Sequence, residues 1–431
     1  MFKHALRICL AGMALMFLMA CQGKKEAAPG EYVIKYPTHQ VGANSSAAAN
    51  AEMVRTFNEK YKGKYRIEVE EIPGDQNYAD KMKVLAVSGQ LPDLVYTPDI
   101  LLDVLYAQGV CMDLTPALNA DPQWKALFPE MVLNHNTRDG KVIALPNEGQ
   151  LIGYYYNREL FEKAGVAGPA KTWDEFFQIC AKLKAAGITP ISMQTGDNAW
   201  CSQLVLTEMI AATGSEGYAF TTSSSFHENY SIPSFINGLK QLQRIWTEGY
   251  TTRDSIGGMY EHAANNFISG RTAMIANGTW MIGSFSDPDM GGSQEFADNV
   301  EIALFPGDFY ISNPFEGFAI CAKTPEGQEA ALAMLKHWTS AETQLSNLRS
   351  ASGLLPSGTI EIPQDVIEKN RLLGQILVLS RNGKATRSLS NLWYPGVSDV
   401  FSQQLALFAA GQTSAEALAG EITRIAQQNK P

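Results

Sequence analysis

Residues 140–176 read GKVIALPNEGQLIGYYYNRELFEKAGVAGPAKTWDEF. Lys141 to Pro146 predicts a short strand, and the apolar stretch Leu151 to Asn157 predicts another. Thr172-Trp173-Asp174-Glu175 is a capping-box sequence, in which the Thr172 hydroxyl accepts from a backbone N–H three residues on and Glu175 reaches back. Trp173, Phe176, Phe177, Cys180 and Leu183 then recur at helical spacing until Gly187 and Pro190 stop the helix. Short strands alternating with capped helices specify layered α/β packing.

The same alternation extends to both sides. Upstream, Tyr32 to Tyr36 and Tyr65 to Glu70 read as strands, and Ala47 to Tyr61 and Asn77 to Ser88 as helices. With the short buried strand Leu94 to Tyr96 they make a βαβαβ start. Downstream, Met259 to Ser269 is a helix closed by Gly270, and Thr272 to Ala276 a strand turning through Asn277-Gly278. Ile320 to Ala322 is another strand, and Thr324-Pro325 opens a helix with proline at its first position. The tail from Val397 to Gln428 is helical with a break near Gly411. No repeat of 20 to 50 residues recurs, which argues against a solenoid.

The 431 residues, 45% hydrophobic and 18% charged, provide for about two to three domains of roughly 150 residues. The formal charge is −10, and no basic run is long enough to track a phosphate backbone, so nucleic acid is not an expected partner. The chain opens with Lys3 and Arg7, then an apolar run from Ile8 to Ala20. As a helix that run spans roughly 20 Å, short of the about 30 Å of a hydrocarbon layer, so residues 1–20 read as a signal peptide. It ends Leu18-Met19-Ala20-Cys21, which resembles a bacterial lipobox, with Cys21 as the lipidated residue. Residues 21–30 are polar and read as a flexible tether. Loss of the leader takes the charge to −12, so lipid rather than basic side chains is expected to hold the protein at the membrane. Cys111, Cys180, Cys201 and Cys321 lack Cys-x-x-Cys spacing and read as scattered core thiols in preference to a disulfide or metal site.

Taken in order, several stretches resemble the family 1 extracellular solute-binding proteins, the maltose- and oligosaccharide-binding group that serves ABC importers. They are Leu91-Pro92-Asp93-Leu94, Gly140-Lys141-x-x-Ala144-Leu145-Pro146 and Tyr155-Tyr156-Asn157-x-x-Leu160-Phe161-x-x-Ala164-Gly165. Thr172-Trp173-Asp174-Glu175-Phe176 follows, then Phe267-x-x-Gly270-Arg271-Thr272-Ala273-Met274 with Asn277-Gly278-x-Trp280. Trp393-Tyr394 and Ser414-Ala415-Glu416-Ala417-Leu418 complete the set, which spans roughly residues 31 to 425. The resemblance implies a two-lobed, type II periplasmic-binding-protein fold with ligand in the cleft. Lobe one is expected at 31–145 plus 307–348 and lobe two at 146–306 plus 353–431. Hinge crossovers are expected near Pro146, Phe305-Pro306-Gly307 and Gly353-Leu354-Leu355-Pro356.

A pyranose offers C–H groups on its face and hydroxyls at its rim, so aromatic faces with carboxylates and amides at the edge suit it. By resemblance, Trp280 and Trp393 are stacking residues, with Tyr394 beside Trp393, and Trp200 stands in a contact loop. Trp173, Trp246 and Trp338 lie on helical patterns and are expected in the core. Glu148 and Gln150 follow the first crossover, and Gln150 stands where the family has an acidic residue. His39, Gln40 and Asn44 follow the first strand. Asp99 and Glu316 complete the candidate set, whereas Asp93 is expected to be a structural cap. Thr97 replaces a tryptophan of maltodextrin binders, which favours a smaller or different sugar.

The expected function is a non-catalytic, monomeric receptor without cofactor that passes a carbohydrate to an ABC permease. A receptor for another small polar solute, such as a glycerol phosphoester, is the alternative within that class. A secreted glycoside hydrolase with paired carboxylates about 5–10 Å apart is the alternative outside it. No Gly-x-Ser-x-Gly or His-Glu-x-x-His sequence accompanies it. Tyr154-Tyr155-Tyr156 invites comparison with a ferric site but is read as part of a strand.

Overall fold

The computed structural model describes residues 29–430 except 43, 45, 99–100, 150, 224, 314–316, 350–359 and 395. Cys21, the leader, most of the tether and the 353–356 crossover lie outside the described residues. The strands in chain order are β1 (Tyr32–Thr38), β2 (Tyr65–Glu71), β3 (Leu94–Tyr96), β4 (Thr137–Arg138), β5 (Lys141–Val142) and β6 (Ile152–Asn157). After them come β7 (Thr189–Ser192), β8 (Thr272–Gly278), β9 (Val300–Ala303), β10 (Phe309–Ile311), β11 (Phe318–Ile320) and β12 (Lys384–Thr386).

In the first lobe β1 and β2 pair in parallel from Tyr32↔Tyr65 to Thr38↔Glu71, joined by the helix Ala47–Lys60. That helix buries Ala49, Met53 and Phe57, one residue per turn, against the strands. The third strand of the expected βαβαβ unit finds its hydrogen-bond partner late in the chain: β3 pairs antiparallel with β11. The helix Pro325–Trp338 follows β11 and closes the core, because Trp338 lies edge-on to Tyr36 at 4.8 Å and to Phe318 at 4.9 Å. Trp338 is wholly buried, and its removal to alanine carries a cost of about 3–5 kcal/mol.

The second lobe is built on a sheet ordered β12-β10-β6-β8-β7, with β9 also paired to β6. Alternation along β6 sends Tyr154 and Tyr156 to one face and Tyr155 to the other. The three hydroxyls therefore do not converge as an iron site requires. Gly153 is needed because a side chain there would meet the Ala303 carbonyl at 2.4 Å. Helices Trp173–Ala185, Trp200–Ala211 and Pro233–Thr247 cover one face, together with the C-terminal pair Val397–Ala409 and Ala415–Gln428. Trp173 and Trp338 are core, as expected. Trp246 is half-buried, with its indole N–H on the Ser255 hydroxyl at 3.0 Å.

Two boundaries differ from expectation. Residues 307–311, expected in lobe one, belong to lobe two: β10 pairs with β6 at Ile311↔Ile152 and with β12 along its length. Pro306-Gly307-Asp308 is a tight turn, closed by paired bonds between Phe305 and Phe309 at 2.8 and 3.2 Å. The next strand, β11, is back in lobe one through its pairing with β3. The strand expected at Lys141 to Pro146 is only β5, followed by a single bridge from Leu145 to Phe318. Proline lacks the donor that would continue a ladder. Gly317 and Pro146 lie side by side there, so tightly that a side chain on Gly317, at φ +73°, would meet Pro146 Cα at 2.3 Å.

Candidate functional site

On the second lobe, the loop after β7 is shaped by two left-handed residues, Asp197 at φ 52° and Ala199 at φ 53°. Asp197 accepts from the Tyr260 N–H at 3.0 Å, in the first turn of the helix Tyr260–Ile268, where a carboxylate is favoured. Asn198 accepts from the Trp200 N–H at 3.1 Å, and its carbonyl accepts from the Gln203 amide at 3.0 Å. These bonds fix Trp200 at the start of the helix Trp200–Ala211.

Trp280 reaches the same place from the end of β8. Asn277 donates to the Tyr260 hydroxyl at 2.9 Å, and the Tyr155 hydroxyl donates to the Gly278 carbonyl at 2.9 Å. The indole packs against Gly278, where an added Cβ would sit 2.1 Å from the ring. The next residue, Thr279, donates to the Leu151 carbonyl at 3.2 Å, tying this turn to the segment leaving the first crossover. The Trp200 and Trp280 rings are 6.2 Å apart and tilted by 43°, and both are half-buried. Amide, hydroxyl and carboxylate groups behind the two indoles hold them in place, leaving a partly open apolar surface of the kind that suits a flat ligand face.

Trp393, the other expected stacking residue, does not join them. It is 1% exposed in the second-lobe core, its ring 5.1 Å from Phe401, and offers no face to a ligand in this conformation. Phe401, on the helix Val397–Ala409, and the rest of the second-lobe core close over the indole. Tyr394 is half-buried and stands edge-on to Phe226 at 5.4 Å.

On the first lobe, His39 is buried between Tyr78 and Tyr96, with ring separations of 5.5 and 5.2 Å. Gln40 is also buried; its carbonyl accepts from Asn50, and its side-chain oxygen has no partner among the described residues. Asn44 is engaged locally, accepting from the Ser46 N–H at 2.9 Å. Thr97 is wholly buried, and its hydroxyl and N–H both donate to the Gly317 carbonyl at 2.9 Å. Asp93 serves as a structural clasp, accepting from the Lys35 N–H and the Tyr32 hydroxyl, each at 3.1 Å.

Glu148 leaves the first crossover with Oε2 enclosed and unpartnered among the described residues, and burial pushes its carboxyl up to about 7. Asp99, Gln150 and Glu316 lie outside the described residues. Sequence reasoning did not single out Tyr260 or Asn277, although Asn277 stands in a quoted motif. Tyr260 carried no signal beyond its place at a helix start. Among the described residues no group of three or more His, Cys, Asp or Glu is arranged to hold a metal ion. No described helix is long and apolar enough to cross a membrane.

Similarity to known proteins agrees with this architecture. The chain is 39% identical over 80 residues to a putative binding protein of Brucella abortus, covering 19% of each. It is 24% identical over 292 residues to the multiple sugar-binding protein of Streptococcus mutans, covering 65% of each. To the sn-glycerol-3-phosphate-binding periplasmic protein of Rhizobium meliloti it is 26% identical over 164 residues, 37% of each. These matches span from about a fifth to just under two thirds of the relatives' lengths. Among solved structures, a chitin oligosaccharide binding protein superposes with a TM-score of 0.81 at 22% identity, over 93% of this chain and 99% of that one. Maltose-bound T. maritima MalE3 superposes at 0.75 with 19% identity, over 92% and 99%. At these identities the likeness is one of fold. The family model described as bacterial extracellular solute-binding protein matches residues 52–372. The chain thus belongs to the bacterial extracellular solute-binding proteins, a family of two-lobed extracytoplasmic receptors rather than enzymes.

Proposed function

We propose that this protein binds a sugar or small oligosaccharide between its lobes and delivers it to the permease of an ABC importer. In this reading it acts as a monomer, held to the cell membrane by lipid on Cys21. The observation that carries it is the pair of half-buried indoles, Trp200 and Trp280, packed against Gly278, flanked by the half-buried Asp197 and Tyr260 and braced from beneath by the buried Asn277. Indole faces match the C–H face of a pyranose, and the half-buried carboxylate of Asp197 and hydroxyl of Tyr260 suit its rim. Glu148, His39, Gln40, Asn44, Asp99, Gln150, Glu316 and Tyr394 are proposed as further contacts. Ligand touching both lobes favours the closed state by no more than its differential affinity for closed over open.

The second reading is a glycerol phosphoester receptor, favoured by the Rhizobium meliloti relative. Phosphate calls for a bidentate guanidinium or a lysine, whereas the groups bracing the indole pair are neutral or acidic. Calorimetry against neutral oligosaccharides and sn-glycerol 3-phosphate, with recovery of the bound compound, tests the reading. We expect saturable binding of a neutral sugar that is returned unchanged. Preferential binding of the phosphoester, or release of cleaved sugar, would contradict it.

A further inference from the structure

Four cysteines lie among the described residues, and two of them are neighbours. Cys111 is half-buried on the segment that follows the helix Leu101–Ala107. Cys321 is buried at the end of β11. The Met112 N–H donates to the Ile320 carbonyl at 2.8 Å on one side of β11, while on its other side β11 pairs with β3. One residue back from Met112 and one forward from Ile320 are Cys111 and Cys321, whose thiols are close enough to perturb one another. An antiparallel run through this single bond sets Cys111 opposite Cys321, with Cα atoms about 4.5–5.5 Å apart, within the about 4.4–6.8 Å that a disulfide spans.

We propose that Cys111 and Cys321 form a dithiol–disulfide couple that closes once the chain is outside the cytoplasm. The inference rests on the family's extracytoplasmic location and on this geometry, not on the sugar reading. The Cys111 thiolate attacks an external disulfide, R–S–S–R; one RSH leaves with a proton, and Cys111–S–S–R remains. Cys321 then attacks the Cys111 sulfur, a second RSH leaves, and the Cys111–Cys321 bond is formed. Two electrons and two protons have passed to the external oxidant, a disulfide of the small-molecule or thioredoxin-like class.

The environments suit these roles. The Cys111 thiol is held below its ordinary range because it accepts from Cys321, with the Arg138 charge adding to the effect, and it is reachable from solvent. Cys180 and Cys201 are buried in different clusters of the second lobe, and burial raises both thiols, that of Cys201 to about 12. They are predicted to stay reduced. Both partners of the couple sit in lobe one, so the link clips the exit of the helix Leu101–Ala107 to β11 without spanning the hinge. It encloses roughly two hundred residues, which places it among the strongly stabilising loop closures.

The test uses the mature full chain, purified reduced and then incubated with oxidised glutathione. After acid quench, denaturation and alkylation, peptide mass spectrometry is expected to find Cys111 linked to Cys321 and to find Cys180 and Cys201 alkylated. Oxidation is expected to raise the thermal midpoint by on the order of 5 °C. Cys111→Ala, at the half-buried position, should fold and show no rise. Alkylation of both Cys111 and Cys321, a glutathione adduct on Cys111 alone, or a link to Cys180 or Cys201 would each overturn the proposal. The sugar reading would stand or fall separately, by calorimetry.

Discussion

Trp280 and Trp393 occupy similar contexts in the sequence, each at an irregular stretch after regular structure, yet they have opposite fates. Trp280 is carried on Gly278 and leaves part of its face open, whereas Trp393 is sealed under a helix. Trp280→Ala is expected to weaken ligand binding at least tenfold with an unchanged circular dichroism spectrum; unchanged calorimetric affinity would remove Trp280 from the site. Trp393→Ala is expected instead to lower stability by about 3–5 kcal/mol in denaturant titration. Which side of the backbone an indole takes is decided by packing from distant segments, so the two tryptophans were indistinguishable as residues in a string. Glu208 is a second residue without a sequence signal: it is wholly buried, with Oε1 accepting from the Thr386 hydroxyl at 2.6 Å. Burial pushes its carboxyl up to about 8, against a smaller lowering from the Thr386 bond. The folded protein therefore keeps a proton that the unfolded chain loses near pH 4.5. Stability is present in full below that pH and declines as pH rises toward about 8. Glu208→Gln should flatten this decline and add a few kcal/mol at pH 8. A wild-type slope retained in the variant would contradict the assignment.

Among elements, those bounded by strong punctuation were legible. The helix Trp173–Ala185 begins at the expected cap, where Thr172 Oγ1 accepts from the Glu175 N–H at 3.2 Å. Glu175 itself accepts from the Lys171 N–H at 2.7 Å, one residue before the position a capping box specifies. Thr172→Ala is expected to cost about 1 kcal/mol in chemical denaturation, and an unshifted midpoint would show the cap to be dispensable. The helix Trp200–Ala211 was not legible. It is buried on every side and turns Ser202, Gln203, Thr207 and Glu208 inward among apolar residues, so no 3.6-residue contrast survives. The Pro306-Gly307 signal was read as a crossover because a turn and a hinge share the same residue types. Only the pairing of β10 with β6 and β12 separates them.

At the scale of the molecule, the two-lobed arrangement follows from long-range returns of the chain. β11 and Trp338 come back to complete the first lobe, and β12 with the C-terminal helices completes the second. The resemblance carried this much of the fold, while composition and periodicity alone reached only α/β layering. The indole pair stands beside the segment leading into β6, and in the proposed reading a ligand held there and touched by the first lobe would draw the lobes together. The most direct measurement is small-angle X-ray scattering of the mature protein, free and saturated with the neutral oligosaccharide that calorimetry selects. A smaller radius of gyration in the saturated sample is the predicted result. Full occupancy with an unchanged radius would contradict a receptor that closes on its sugar.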